Sequence, residues 1–181
     1  MYLSWIKSRI GVQSRSVENK LNEMGHLLTE SMERIKKISF GLRPSILDDL
    51  GIREAIEWQL KDFHKSTRIK YSFFWGSADM NINKKIAINI FRIMQEALTN
   101  VVRHSGATEV SLNFISGKNK LKLTFTDNGQ GIEEDQVLNP KSFGLIGMKE
   151  RAKLCGGDLI IKGVKGKGTK LVVTIPINHE K

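Results

Sequence analysis

The stretch Phe91–His104, FRIMQEALTNVVRH, decides how the rest of the chain is read. As a helix it carries Ile86, Ile90, Ile93, Met94, Ala97 and Val101 along one apolar stripe, in steps of three and four. Glu96, Asn100 and His104 recur at i, i+4 and i+8 and so share a different face of the same helix. A helix that buries one side and aligns a carboxylate, an amide and an imidazole on another can wall a site. The plainer alternative is a solvated stripe, with Arg92 and Glu96 as an i, i+4 ion pair worth about 0.2–0.5 kcal/mol.

Outward from this helix, the second half of the chain alternates. The spacing predicts a helix over 83–104, stopped by Ser105-Gly106. Thr108–Ile115 and Leu121–Phe125 alternate apolar and polar residues as half-buried strands do, with 117–119 as their turn. Glu133–Ser142 is a polar interruption. Gly144–Cys155 reads as a helix, and Asp158–Ile161 and Thr169–Ile175 as a hairpin across a glycine-rich turn. Ile69–Trp75 reads as a further strand, and Ile52–Lys65 as a helix with Ile52, Ala55, Ile56, Leu60 and Phe63 inward. The expected fold is an α/β sandwich: one mixed sheet with helices on one face, preceded by a helical-bundle segment.

That segment lies upstream. Val17, Leu21, Met24, Leu28, Met32, Ile35, Ile38 and Leu42 form a heptad-like seam that needs an apolar partner along its length. A bundle built with a second chain is the natural solution, and packing within the monomer is the alternative. Gly41-Leu-Arg-Pro44 ends that helix, because proline cannot continue it. Ser45–Gly51 comes next as a connector with capping residues. The expected organisation is a partial dimerisation hairpin over 1–47, a connector helix over 48–68 and a catalytic domain over 69–181.

Composition narrows the function classes. A chain of 181 residues with 40% apolar content can bury a core. No apolar run approaches the roughly 18–20 residues of a membrane span, and no signal peptide opens the chain. The single Cys155 excludes an internal disulfide framework and fits a reducing cytoplasm. The net charge of +10 and the cluster Lys162, Lys165, Lys167 and Lys170 invite a nucleic-acid reading. No aromatic side chains interleave with that cluster to stack on bases, so nucleic acid is a secondary alternative.

Three glycine-bearing segments come after the central helix: Asp127-Asn-Gly-Gln-Gly-Ile132 after a strand, Phe143-Gly-Leu-Ile-Gly-Met148 opening a helix, and Gly166-Lys-Gly-Thr169 opening the last strand. Each alone is a common turn. In this order after EALTN they are far more specific. The sequence here resembles the ATP-binding catalytic domain of sensor histidine kinases, within the GHKL ATPase superfamily. QEALTNVVRHSGA resembles the N box, and DNGQGI, FGLIGMKERA and GKGT the three glycine boxes. LRPSILDDLGIREAIEW is similar to the link into that domain in the nitrate- and lipid-sensor subfamily. The likeness covers about residues 17–177.

The resemblance implies roles for particular residues. Asn100 would offer its side-chain oxygen to Mg²⁺, and Glu96 would be the N-box acid orienting a group near the γ-phosphate. Asp127 would accept a hydrogen bond from the adenine amine; guanine presents an acceptor there, so GTP would be rejected. Gly129 and Gly131 would let backbone approach base and sugar. Gly144, Leu145 and Gly147 would bring helix-start amides to the phosphates, and Thr169 would support adenine. Arg103 and His104 would contact phosphates or offset the helix dipole, two readings of equal weight. Glu133–Phe143 would be a lid. ATP and Mg²⁺ are the implied ligands, a homodimer through 17–42 and a response regulator the implied partners, with a membrane reached only through upstream regions.

One departure stands out. The subfamily's phosphoacceptor motif, a histidine followed by an acidic residue on the first bundle helix, is absent, and none of His26, His64, His104 or His179 has that context. The family's order puts it upstream of Met1, so this chain reads as a fragment, or as a kinase whose acceptor lies elsewhere, able to bind ATP but not to autophosphorylate on that histidine. Two rival readings keep the nucleotide site: an anti-sigma-factor serine kinase, which lacks the bundle seam, and a mechanical ATPase, which needs a transducer domain supplying a lysine.

Overall fold

The computed structural model describes residues 19–25, 27–28, 45–76, 82–117, 119–139 and 142–177. The chain divides into two compact units, 1–45 and 46–181. In the first, residues 19–25 and 27–28 are helical, with Leu21 half-buried and Met24, Leu27 and Leu28 exposed. The rest of the heptad seam (Val17, Met32, Ile35, Ile38, Leu42), the Gly41–Pro44 stop, His26 and His179 lie outside the described residues.

From Ser45 onward the elements are α1 (Ser45–Asp49), α2 (Ile52–Thr67), β1 (Lys70–Gly76), α3 (Lys84–Asn100, continued by a π-helical turn Val101–Ser105), β2 (Glu109–Ser116), β3 (Lys120–Asp127), α4 (Glu134–Leu138), α5 (Phe143–Leu154), β4 (Asp158–Val164) and β5 (Gly168–Pro176). The five strands form one mixed sheet in the order β1-β2-β3-β5-β4. β1 and β2 are parallel, joined through α3, and the other pairings are antiparallel. This is the mixed α/β architecture expected from the alternation.

Strict alternation places Val110, Leu112 and Phe114 of β2, Leu121, Leu123 and Phe125 of β3 and Leu171, Val173 and Ile175 of β5 on the buried face. On β1, Trp75 stacks on Phe114 with ring centroids 4.2 Å apart. Against this face pack α2, α3 and α5. All five residues expected inward on α2 are buried. On α3, Ile90, Ile93, Met94, Ala97 and Val101 are buried and Ile86 is half-buried, but so are Ala87, Phe91 and Leu98, which the expected stripe omits. The buried arc is wider than one stripe because α3 meets β3, α2 and α5 together.

Three expectations need adjustment. The Ser45–Gly51 connector contains a short helix, anchored by buried Leu47 and by an ion pair from Lys84 Nζ to Asp48 Oδ1. The central helix does not stay α-helical to His104: after Asn100 it widens into a π turn ended by Gly106 at φ 62°. Cys155 is the C-cap of α5 instead of a residue within it, and burial pushes its thiol pKa up, which keeps the thiol protonated.

Candidate functional site

Where α3 ends, three loops gather around its polar side and enclose a cleft of about 520 Å³, within the roughly 300–1,000 Å³ usual for small-molecule sites. Glu96, Asn100, Arg103 and His104 line it from α3 and its π turn, Asp127 and Gly131 from the loop after β3, Gly144 and Leu145 from the start of α5, and Thr169 from β5. Nine of the eleven singled-out residues therefore meet in one place. Gly129 and Gly147 are not among the lining residues. Gly129 is buried and its N–H donates to Asp127 Oδ1 at 2.8 Å, while a Cβ on Gly147 would come 2.8 Å from Arg151 Nη1.

The glycines explain why the wall closes so tightly. A side chain on Gly144 would run into Glu96 Oε1, so a larger residue there would push that carboxylate from the start of α5. Gly168 has φ +88°, and a Cβ there would strike the carbonyl oxygen of Asp127. It is this glycine, not Gly166, that brings the β4–β5 turn against the end of β3; a Cβ on Gly166 would meet nothing within 4 Å.

Asp127 is the one polar or charged side chain buried among the described residues, at 9% exposure. Its Oδ1 caps the following turn, and no buried side-chain oxygen or nitrogen among the described residues lacks a partner. Oδ1 fastens the loop while the residue faces the cleft.

The π turn redirects the residues after Asn100. It carries Arg103 and His104 past the strict i+4 face, yet both still line the cleft, exposed to solvent. Ser105 Oγ donates to Val101 O at 2.9 Å and accepts from Ala107 N at 3.0 Å, which satisfies part of the wide turn.

Gln130 is the residue sequence reasoning missed. Its N–H donates to Ser105 O at 2.8 Å, its Nε2 donates to His104 O, and its own carbonyl accepts from Gly166 N at 2.8 Å. It sews the end of α3 to the loop after β3 and to the β4–β5 turn. The only signal was its place between two glycines. Phe143, 78% exposed at the cleft wall, opens the second glycine segment, whose expected roles fell on Gly144, Leu145 and Gly147 instead. The polar interruption holds α4, whose start is a reciprocal capping box between Glu133 and Gln136. Gln136 and Ser142 from this segment reach the cleft.

Among the described residues no cluster of three or more His, Cys, Asp or Glu could hold a metal ion by itself, and no helix is long and apolar enough to cross a membrane.

Residues 86–179 match the family described as histidine kinase-, DNA gyrase B-, and HSP90-like ATPase. The chain is 36% identical over 161 residues to the sensor histidine kinase LiaS of Bacillus subtilis (strain 168), covering 89% of this chain and 44% of that protein. It is 32% identical to the sensor histidine kinase ComP of the same organism, covering 89% and 21%. The chain thus spans less than half the length of these relatives. In fold it is similar to the ATP binding domain of PrrB from Mycobacterium tuberculosis, with a TM-score of 0.54, 23% identity, and 66% of this chain and 90% of that one covered. A blue-light activated histidine kinase from Erythrobacter litoralis EL346 aligns at a TM-score of 0.58 and 17% identity over 91% of this chain and 61% of that one. With the N-box helix and the three glycine corners meeting in one cleft, the chain belongs to the family of histidine kinase-, DNA gyrase B- and HSP90-like ATPases, and its ATP-binding domain is homologous to those of sensor histidine kinases.

Proposed function

We propose that this chain is the catalytic region of a two-component sensor histidine kinase of the nitrate- and lipid-sensor subfamily. It passes the γ-phosphoryl of ATP to a histidine, and that histidine passes it to an aspartate of a response regulator. The observation that carries the reading is the convergence of Asn100, Asp127, Gly144 and Thr169 on one cleft from four separate segments.

In this reading Asp127 recognises the adenine amine, with Thr169 beside it and Gly129 and Gly131 allowing close approach of the loop. The helix-start amides around Gly144, Leu145 and Gly147 receive the phosphates, where backbone donors and the helix dipole favour anions. Arg103 and His104 add positive charge at the end of α3. Glu96, fixed against Gly144, holds a group near the γ-phosphate by position, which suits a reaction that depends mostly on alignment and charge. Mg²⁺, when bound, neutralises phosphate charge. The donor set fits such an ion: Asn100 offers one amide oxygen, the described residues form no carboxylate cage, and Mg²⁺ takes few protein ligands and keeps waters and substrate phosphates.

The exposed Met24 and Leu28, both on the predicted seam, support dimerisation through residues 17–42.

Calorimetry tests the nucleotide reading directly. ATP with Mg²⁺ is expected to bind, and GTP at least about tenfold more weakly, as for a site whose buried carboxylate faces the wrong polar group. Comparable affinities for ATP and GTP would remove Asp127 from its role.

A further inference from the structure

The loop after β3 is fastened to its surroundings at each residue from Asn128 to Gly131. Asn128 Oδ1 accepts from Thr108 N at 2.9 Å and from Glu109 N at 3.0 Å, which ties the loop to the start of β2. A Cβ on Gly129 would strike the carbonyl oxygen of Ser105, so the loop lies tight against the end of the π turn. At Gly131, φ +81°, a Cβ would run into the carbonyl oxygen of Val164. Gln130 stands between these contacts and meets the π turn twice. Its backbone N–H donates to Ser105 O at 2.8 Å, and its side-chain Nε2 donates to His104 O. The last carbonyls of a helix have no partner within the helix. Here one residue of a distant loop caps those of the last two residues of the turn.

We propose that Gln130 is a positioning residue for the phosphate end of the nucleotide: its two donors fix the π turn, and the fixed turn presents Arg103 and His104 to the phosphates. The inference rests on the nucleotide reading of the cleft and adds to it a side chain that acts through the two basic ones.

Arg103 and His104 are exposed, so no packing against a core sets their direction. The backbone of the turn sets it. A π turn is a rare, single-turn departure from α-helical spacing, and contacts from outside the helix must hold it. If it relaxed to α spacing, or frayed, Arg103 and His104 would swing about the helix axis and lose their common place on the cleft wall. Gln130 lines that wall together with Arg103, His104 and Ser105, so the clamp and the groups it aims share one rim. Its side chain reaches the one carbonyl of the pair that its own backbone leaves free. Gln130 is itself exposed, and without the side-chain donor His104 O would turn to water. The loss therefore falls on orientation more than on folding.

The test is a mutant cycle, read by calorimetric titration of the whole chain with a non-hydrolysable ATP analogue and Mg²⁺. The four proteins are the native chain, Gln130→Met, the paired change Arg103→Ala with His104→Ala, and all three changes together. Methionine keeps the length of glutamine and removes the donor. Gln130→Met is expected to weaken the analogue about fivefold in the native background. Once Arg103 and His104 are replaced it is expected to weaken it less than about 1.5-fold, because nothing is left to position. The urea midpoint of Gln130→Met is expected to stay near the native value. Equal losses in the two backgrounds would make Gln130 a brace of the fold or a direct nucleotide contact and overturn the proposal. Native affinity in Gln130→Met, or in the paired change, overturns it as well. If Gln130→Met fails to fold, Gln130→Ala takes its place in the cycle with the same outcomes. A native chain that binds no analogue at all would instead sink the nucleotide reading of the cleft, and the proposal with it.

Discussion

α2 and α3 are nearly the same object on paper and quite different objects in the fold. Both are amphipathic, of 16 and 17 residues, and both bury an apolar face against the sheet. α2 ends in a left-handed cap at Arg68, and its outer face carries ordinary ion pairs, Arg53–Glu57 at 3.5 Å and Lys61–Glu57 at 4.0 Å. α3 widens at its end, and its polar face lines a cleft together with three glycine-bearing segments. Amphipathicity therefore makes scaffold in both cases. What makes a site is the close approach of other backbone to one polar face, which only residues without side chains permit.

The scaffold role is the costliest to remove. Phe91 is fully buried on α3, where sheet and helices meet, so Phe91→Ala is expected to destabilise the domain by about 3–5 kcal/mol. Urea unfolding measures it, and a loss under about 1 kcal/mol would mean the centre of the core lies elsewhere.

The polar faces separate the two helices next. If Asn100 is the Mg²⁺ ligand proposed above, Asn100→Ala is expected to weaken Mg²⁺-dependent nucleotide binding at least about tenfold. Its effect on stability is small, because Asn100 is only half-buried. Glu57→Ala on the outer face of α2 should leave binding unchanged and cost less than about 1 kcal/mol, the usual worth of exposed ion pairs. Equal binding by the Asn100 variant and the native chain would detach that residue from the metal.

This contrast also marks what sequence can carry. The five inward residues of α2 were legible because one partner surface selects one face, and a 3–4 spacing describes it completely. On α3 the same rule missed Ala87, Phe91 and Leu98, since several neighbours bury a wider arc than any single stripe. Asn100, Asp127, Gly131 and Thr169 were legible because each sits in a short local motif. Gln130 was not: its bonds run to Ser105, His104 and Gly166, 25, 26 and 36 residues away, and nothing local announces them. Nor was the π turn, which depends on how Ser105 and Gly106 close the helix against the loop after β3.

The smallest effects come from the two helix ends, and they should have opposite signs. α2 closes on Arg68 at φ 64°, a left-handed conformation that its Cβ resists, with its N–H donating to His64 O at 2.8 Å. The π turn closes on Gly106 at φ 62°, where a Cβ would touch nothing within 4 Å. The contacts being absent, substitution at Gly106 changes backbone preference alone, and Gly106→Ala should cost about 1 kcal/mol. At Arg68 the comparison that isolates conformation is Gly against Ala, since both remove the same charge and side chain. Arg68→Gly is expected to be more stable than Arg68→Ala by about 1 kcal/mol, after the greater freedom of glycine in the unfolded chain is set against the relief of the left-handed strain. Urea midpoints at unchanged slope report both. If Arg68→Ala matches or exceeds Arg68→Gly, the end of α2 is held by something stronger than backbone preference, and the Thr67 hydroxyl, which donates to Phe63 O at 2.7 Å and accepts from Ile69 N at 3.2 Å, is the group to remove next.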